Sequence, residues 1–384
     1  MKNPVGHAVG LGHEMQCSVP SRCRLGVLLL GLLVVACQES VPGPERPSEA
    51  QVDSASFLAP PCSPVAVGSG MRAPSVRAEW TEPRCSLDFR DVLTFPTRDV
   101  GVMPRPPVAI IPSGGYVTAT FRAGNLAVWS ASGEFVRLVG RGPGRGPGEF
   151  GHPGSLVVDA AGVIHVFSGG PSKTSYTLDG EYLETSTPEG VSGLGSAGTG
   201  AGGLLIALAR TPRGQRIVRW DADGSVRVEE TGPDPGRTRL LGVRGPEIWT
   251  AISDTYELER VDPEHMTVRR DPTWLRSAPP GSWNLFGIVP ESHGGMWVLL
   301  SVAADDAPEG PLPPLESPDD AARILSAYRD TVVELLSLDG RLLASHRFTD
   351  IGTAPVPISA SRWFIDPGDA SGTLRIVKPV LTAR

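Results

Sequence analysis

Short β-rich runs recur along this chain at a spacing that limits it to an all-β fold. Each unit contains an apolar strand, a polar break, a second strand, a tight turn and a further strand. The turn glycines Gly133, Gly180 and Gly224 follow one another at 47 and 44 residues, which is the length of a four-stranded propeller blade. The strongest hairpin signals are Asp179-Gly180, Asp223-Gly224 and Asp339-Gly340.

Six units of this kind can be counted, so we expect a six-bladed β-propeller of four-stranded blades over residues 86–384. The last unit lacks an outer strand, and residues 86–96 (SLDFRDVLTFP) form an unpaired candidate strand. We predict that this N-terminal strand completes the last blade. The ring then has no open sheet edge that could pair with another chain.

One insertion, at about 303–330, interrupts the fifth unit. Within it, Ser317 is a candidate N-cap and Pro318 suits the first helical position. Asp319 and Asp320 follow in the first turn, where carboxylates favour a helix. The sequence therefore predicts one short helix at about 317–328 in this insertion, or else a plain surface loop.

The glycine-rich stretch 140–154 (GRGPGRGPGEFGHPG) formally contains the dinucleotide-binding pattern of three glycines. That pattern needs a strand before it and a helix start after it. Here Pro153 and a β-type run follow, while Pro143 and Pro147 lack the backbone N–H groups that hold a phosphate. We therefore exclude phosphate binding by this loop and interpret it as a connector between blades.

The same stretch, with the strand and turn after it, resembles the NHL-type repeat of six-bladed β-propellers. In that family a glycine-rich connector ends in Gly-x-Phe and a proline, here Gly148-Glu149-Phe150 and Pro153. A strand, an Asp-x-x-Gly turn (159–162) and a second strand follow. The resemblance is good for this one unit and covers about 86–384 in outline, and it departs from the family after Phe167.

The N-terminal residues 1–36 are interpreted as a signal peptide. Arg22 and Arg24 precede the apolar stretch 25–35, which is too short to span a membrane. The ending Ala36-Cys37 resembles the bacterial lipobox, which implies that Cys37 carries lipid and anchors the chain in the membrane. An ordinary signal peptide with a chance cysteine is the alternative, and the chain starts at Met1 or Met15.

Residues 37–85 would then hold the lipidated cysteine, a flexible Pro-rich tether and an N-terminal segment. Gln38 after the cysteine favours the outer membrane of the bacterial envelope, on its periplasmic or surface side. Two further cysteines, Cys62 and Cys85, remain in this exported segment and suggest a disulfide. Two free thiols are the alternative.

Net charge excludes one class of partner. Without residues 1–36 the chain has 32 basic and 41 acidic residues, a balance of −9, so we expect no nucleic-acid binding. We expect a monomer whose partner is a protein or a small molecule bound on the face that carries the connectors.

Several exposed polar residues on that face are candidate ligand contacts. Arginine side chains suit an anionic ligand or the carboxylates of a partner, although solubilising loop charges are the alternative. The candidates are Arg141, Arg145, His152, Lys173, Asp305 and Asp306. Tryptophans in successive units are interpreted as packing between blades, rather than as a carbohydrate platform; they are Trp129, Trp220, Trp249, Trp297 and Trp363.

Metal-dependent hydrolysis or lyase chemistry is the alternative function, since six-bladed propellers include calcium lactonases and zinc lyases. Such a site needs Asp, Glu, Asn or His side chains converging on the central channel. Three imidazoles at one zinc ion cannot be assembled from the five histidines after residue 36. Calcium is the cofactor that stays open, with Asn284, Asp305, Asp306 and Glu309 as candidate ligands; no catalytic residue and no other cofactor can be assigned.

The sequence thus favours an exported, lipid-anchored β-propeller that acts as a non-catalytic binding or scaffolding module at the cell envelope. The alternative is a metal-dependent hydrolase or lyase with its site in the central channel.

Overall fold

Tight turns and short antiparallel strands make up most of the chain that the structure describes. The computed structural model describes residues 62, 75–78, 83–96, 102–120, 122–221, 223–230, 239–245, 247–253, 256–261, 266–270, 283–291, 294–308, 327–337, 340–349, 355–358, 364–366 and 373–384. The predicted signal peptide, Cys37 and the tether lie outside these residues. Within these ranges, no helix has the length and apolar character needed to cross a membrane.

Two strands precede the repeated units, namely β1 (Ser75–Ala78) and β2 (Cys85–Thr94). The first sheet consists of β3 (Pro104–Ile110), β4 (Tyr116–Thr120), β5 (Leu126–Trp129) and β6 (Phe135–Val139). The second consists of β7 (Ser155–Val158), β8 (Ile164–Phe167), β9 (Lys173–Tyr176) and β10 (Tyr182–Ser186). The third consists of β11 (Gly193–Thr199), β12 (Leu205–Thr211), β13 (Gly214–Trp220) and β14 (Val226–Glu230). A 3-10 turn, Ala201–Gly203, joins β11 to β12.

The fourth sheet has five strands, because β1 adds to its outer edge in parallel with β18. Its other members are β15 (Arg239–Arg244), β16 (Glu247–Ile252), β17 (Glu257–Arg260) and β18 (Met266–Arg270). The remaining strands are β19 (Trp283–Glu291), β20 (Gly295–Ala303), β21 (Arg329–Ser337), β22 (Leu342–Phe348), β23 (Val356–Pro357), β24 (Phe364–Asp366) and β25 (Arg375–Ala383).

These remaining strands and β2 form one eight-stranded sheet in the order β19-β20-β21-β22-β2-β25-β24-β23. Its two antiparallel halves meet where β2 runs parallel to β22, with Cys85 opposite Ala344 and Ser86 opposite Ser345. The structure therefore has a β-propeller-like fold of four separate sheets and one eight-stranded sheet. The expected six separate blades are not reproduced, because the first residues of β2 hydrogen-bond to both halves.

The strand predicted at 86–96 is confirmed as β2, and its partner is β25. The two strands pair from Cys85 opposite Ala383 to Thr94 opposite Arg375. Cys62 and Cys85 form the expected disulfide, with both residues fully buried. The predicted helix at about 317–328 lies almost wholly outside the described residues; its last two positions, 327 and 328, are helical.

Hairpin turns of one design join many of the strands. In each, the first residue donates its N–H to the carbonyl of the fifth, and a glycine at the fourth position, with positive φ, donates to the carbonyl of the first. Only glycine adopts that conformation readily. The turns are 111–115, 130–134, 159–163, 177–181, 221–225 and 337–341.

The core lies between sheets and not inside any one of them. Middle strands such as β5, β8 and β20 are buried on both faces, because each sheet is covered by a neighbour on either side. Six apolar clusters link the sheets in a cycle, and the last of them joins Ile365 and Ile376 to Ala127 and Trp129 of the first sheet. The packing role predicted for the tryptophans is confirmed for Trp129, Trp220, Trp249 and Trp297, while Trp363 lies outside the described residues.

Deleting residues 86–96 should destabilise the whole domain, because the outer edge of β25 loses its partner strand. The double variant Cys62→Ala/Cys85→Ala is the control, since it removes only the disulfide, at a cost of about 3 kcal/mol. Thermal unfolding followed by circular dichroism should give a lower Tm for the deletion than for the control. Equal Tm values would contradict a closing role for β2.

Candidate binding site in the central channel

Edge strands of all five sheets line a common cavity of about 430 Å³, one from each of the four separate sheets and both from the eight-stranded sheet. These strands are β3, β7, β11, β15, β19 and β23, and they follow one another around the cavity in chain order. We call this cavity the channel.

The described side chains of the channel wall are apolar apart from two serines, and none of them is ionisable. Backbone N–H and C=O groups of the lining strands supply much of the remaining surface. Prolines, glycines and aliphatic side chains form most of the wall, with Phe286 as its aromatic group. Ser155 and Ser196 supply the side-chain hydroxyls. Such a wall can bind through burial of apolar surface and through a few hydrogen bonds, but it offers no side chain that ligates a metal ion or acts as a base near neutral pH.

Three of the six channel strands are interrupted by β-bulges. The pairing register shifts between Arg105 and Val108 in β3, between Leu194 and Ala197 in β11, and between Leu285 and Gly287 in β19. Bulges bend a strand and re-aim side chains. Here the bulged residues are Pro106 and Pro107, Gly195 and Ser196, and Phe286, and all of these except Gly195 line the channel.

The channel is open to solvent. Ser196 is exposed, and Phe286 and Val356 are each 37% exposed. These two side chains give the channel apolar surface that is accessible from solvent.

The connector 140–154 joins the first sheet to the second and is followed by a strand, as predicted, and not by a helix. Phe150 and Pro153 are buried. The Tyr176 hydroxyl donates to the carbonyl of Gly148, and burial raises the pKa of Tyr176 to about 12, so the hydroxyl keeps its proton. The glycine-rich stretch is therefore a packed structural element of the fold.

Gly124 holds both ends of this connector through backbone hydrogen bonds. Its N–H donates to Gly151 (3.3 Å) and its carbonyl accepts from Gly142 (3.2 Å). A Cβ atom at Gly124 would lie 1.9 Å from the carbonyl carbon of Gly142. The two backbones can approach this closely only because position 124 has no side chain.

Replacing Gly124 with alanine should therefore lower stability more than replacing Gly142, its matched control. Both glycines have positive φ, which costs another residue about 1–2 kcal/mol. A Cβ at Gly142 meets nothing within 4 Å, whereas the Gly124→Ala clash adds about 1–3 kcal/mol. Equal losses in a urea titration would contradict this packing.

The predicted contact residues of the connector have different surroundings. Arg141 is exposed, but its Nη1 donates to the carbonyl of Pro147 (3.3 Å) and its guanidinium lies 5.1 Å from the centre of the Tyr182 ring. Arg145 and His152 are exposed, and neither has a hydrogen bond or ion pair within the described ranges. None of the three lines the channel.

Lys173 was expected in an exposed loop, and this expectation is wrong. It is the first residue of β9, and its side chain is 4% exposed. Its ammonium lies 2.6 Å from Glu184 Oε1 and 5.6 Å from the centre of the Trp220 ring. The packing of the second sheet on the third buries this side chain, and Glu184 supplies the counter-charge that a buried ammonium needs.

None of the described residues of the acidic insertion lines the channel. Asp305 and Asp306 are exposed, and Asp305 pairs with Arg347 at 3.0 Å. Asn284 lies exposed near the start of β19, and Glu309 is outside the described residues. No group of three His, Cys, Asp or Glu side chains that could hold a metal ion is found in the described part of the chain.

A Ser-His-Asp arrangement in the second sheet was missed at the sequence level. The Nδ1 atom of His165 lies 3.0 Å from Ser175 Oγ, and its Nε2 atom lies 3.2 Å from Asp159 Oδ2. Asp159 also accepts two backbone N–H groups in its turn. Ser175 is 1% exposed, so its hydroxyl cannot reach a substrate, and the arrangement is a structural hydrogen-bond chain.

Burial lowers the pKa of His165, and the charge of Lys173 lowers it further, against the opposing effects of Asp159 and Glu184. The unfolded chain therefore binds a proton more readily than the folded protein below about pH 6.5. We expect the wild type to lose stability relative to His165→Gln as pH falls below that value. Urea unfolding between pH 7.5 and 5 measures this, and a constant difference between the two proteins would contradict it.

Comparison with solved structures agrees with a propeller-like fold. A member of the DUF4221 family from Bacteroides vulgatus aligns with a TM-score of 0.54 and 11% identity, over 78% of this chain and all of the other. A protein from Bacteroides fragilis, named as an inferred exported protein, aligns with a TM-score of 0.50 and 12% identity, over 81% of this chain and 99% of the other. At such identities the likeness shows the fold alone.

Virginiamycin B lyase from Staphylococcus aureus aligns with a TM-score of 0.48 and 12% identity, over 76% of this chain and 99% of the other. That score is too low to support a statement about the site. No protein-family model matches the sequence. No curated protein is significantly similar to it.

Proposed function

We propose that this chain is an exported, lipid-anchored six-bladed β-propeller that binds a ligand non-covalently in its channel, at the bacterial cell envelope. The observation that carries the proposal is the channel wall, to which six strands contribute and which has no ionisable side chain among its described residues. The protein acts as a monomeric binding module, and Arg145 and His152 are its free polar groups for a partner at the connector.

The count of six blades is supported by packing. Six edge strands surround the channel, and six buried clusters connect the units in a closed cycle. In this interpretation the eight-stranded sheet is two blades that share a short parallel contact, and β2 is the outer strand of the last blade. The connector 140–154 supports the NHL-type interpretation, because its Phe150 packs between the first two sheets.

The wall favours binding over metal-dependent catalysis. A lactonase-like or lyase-like site needs Asp, Glu, Asn or His side chains converging on the channel. The wall instead presents Ser155, Ser196 and apolar groups. A cavity with a volume of 300–1,000 Å³, lined by apolar side chains with a few polar groups, is typical of sites that bind small molecules.

Calorimetric titration with Ca²⁺ and with Zn²⁺ separates the two functions. For a binding module of this kind we expect no stoichiometric heat with either ion and no change in Tm. A Kd in the micromolar range or tighter at one ion per chain, with a rise in Tm, would establish the metal-dependent alternative.

Export and anchoring rest on the sequence of residues 1–37. The apolar stretch 25–35 and the Ala36-Cys37 ending support cleavage before Cys37 and lipid attachment to its sulfur. The structurally similar protein from Bacteroides fragilis is also named as exported, which agrees with the proposed export of this chain.

Replacing Cys37 with serine should release the protein from membranes. The wild type should fractionate with membranes and yield an N-terminal peptide that carries acyl chains in mass spectrometry, whereas Cys37→Ser should stay in the soluble fraction. Recovery of both proteins in the soluble fraction would refute lipid anchoring.

A further inference from the structure

The three bulges occupy equivalent places around the channel. They lie on β3, β11 and β19, which are the first, third and fifth of the six channel strands. The bulged residues are the third and fourth of seven in β3 and in β11 and the fourth of nine in β19, so they lie near the middle of their strands. We call Pro106, Pro107, Ser196 and Phe286 the bulge collar.

The bulge collar gives the channel a wall of rigid rings. Two proline rings and the Phe286 ring face the cavity, and neither proline has a backbone N–H to offer a ligand. Rings of this kind contact apolar groups with little loss of side-chain freedom. Pairing elsewhere in the three strands is regular, so the bulges are local features that place these side chains in the channel.

Charge complementarity limits what can bind there. A charged group that packs against the bulge collar would lose part of its hydration and would meet no counter-charge on the described wall, which is unfavourable. An apolar group gains about 25 cal/mol for each Å² removed from water, and Phe286 and Val356 offer exposed apolar surface for this purpose.

Two serines supply a limited polar contact. Ser155 Oγ accepts the N–H of Ala197 at 3.2 Å, which leaves its hydroxyl proton for another acceptor. Ser196 is exposed, and its hydroxyl has no hydrogen-bond partner in the described part of the chain. A ligand that carries a carbonyl, ether or hydroxyl oxygen would satisfy these groups.

We infer that the channel takes a neutral, largely apolar small molecule with one or two oxygen acceptors, and that the bulge collar determines this specificity. The inference rests on the proposed binding function and adds the chemical class of the ligand. Ser196 contacts the polar part of the ligand, and Phe286 with the two prolines contacts its apolar part.

Two fluorescent probes of similar size and opposite polarity test this class. 6-Propionyl-2-dimethylaminonaphthalene is neutral and carries one carbonyl oxygen, whereas 8-anilino-1-naphthalenesulfonate carries a sulfonate. Both are titrated into the full chain carrying Cys37→Ser, so that no detergent competes for the probe. We expect one neutral probe per chain and at least tenfold weaker binding of the anionic probe.

Two substitutions locate the site. Ser196→Arg places a charge in the bulge collar at an exposed position, so it should fold and should weaken the neutral probe at least tenfold. Phe286→Ala should weaken the same probe severalfold without adding charge. Leu138→Arg is the matched control, because Leu138 is 49% exposed on the outer strand β6, away from the channel; it should leave binding unchanged.

The outcomes separate the inference from the proposed function. If the anionic probe binds as tightly as the neutral one and Ser196→Arg still alters binding, the channel is a site but the neutral ligand class is wrong. If neither probe binds, or if Leu138→Arg weakens binding while Ser196→Arg does not, the channel is not the site and the proposed function fails with the inference.

Discussion

The pairing of β2 with β25 is the interaction on which the closed arrangement depends. Strand β25 is near the C-terminus, and only a strand from the N-terminal side of the domain covers its outer edge. Joining chain segments almost 300 residues apart costs conformational entropy, which must be offset by hydrogen bonds and burial. Phe89 contributes to this burial, with its ring 5.1 Å from that of Phe364 and 5.7 Å from that of Phe348.

The other contacts between sheets combine apolar packing with a few buried polar bonds. Arg239 at the start of β15 pairs with Glu259 and also donates its backbone N–H to Gln215 of the third sheet. The hydroxyl of Tyr256, next to β17 of the fourth sheet, donates a hydrogen bond to Glu334 in β21 of the eight-stranded sheet. A buried polar group that loses its hydrogen-bond partner lowers the free energy of unfolding. These bonds therefore favour the packing of the correct neighbouring strands. The resulting ring holds the six channel strands in place.

The sequence predicted the outer part of the fold better than the channel. Middle strands such as β16 and β20 are apolar on both faces, and the Asp-Gly turns need glycine at one position, so both are visible in the sequence. The channel strands β3 and β11 (PRPPVAI and GLGSAGT) carry prolines, glycines and small residues instead. They have no periodic signal, because they pack closely around an axis and are interrupted by bulges. The candidate site therefore lies in the strands that sequence patterns describe least well. The prediction for Lys173 was wrong for a different reason: the neighbouring sheet that buries its side chain is distant in sequence.

Hydrogen–deuterium exchange of β2 tests the closed arrangement most directly. If β2 is an integral strand of the ring, its amides and those of β25 should exchange slowly and at similar rates, through global unfolding alone. This protection should persist in Cys62→Ala/Cys85→Ala, since strand pairing and not the disulfide holds β2. Fast exchange in residues 85–94 while β20 and β21 remain protected would contradict the account.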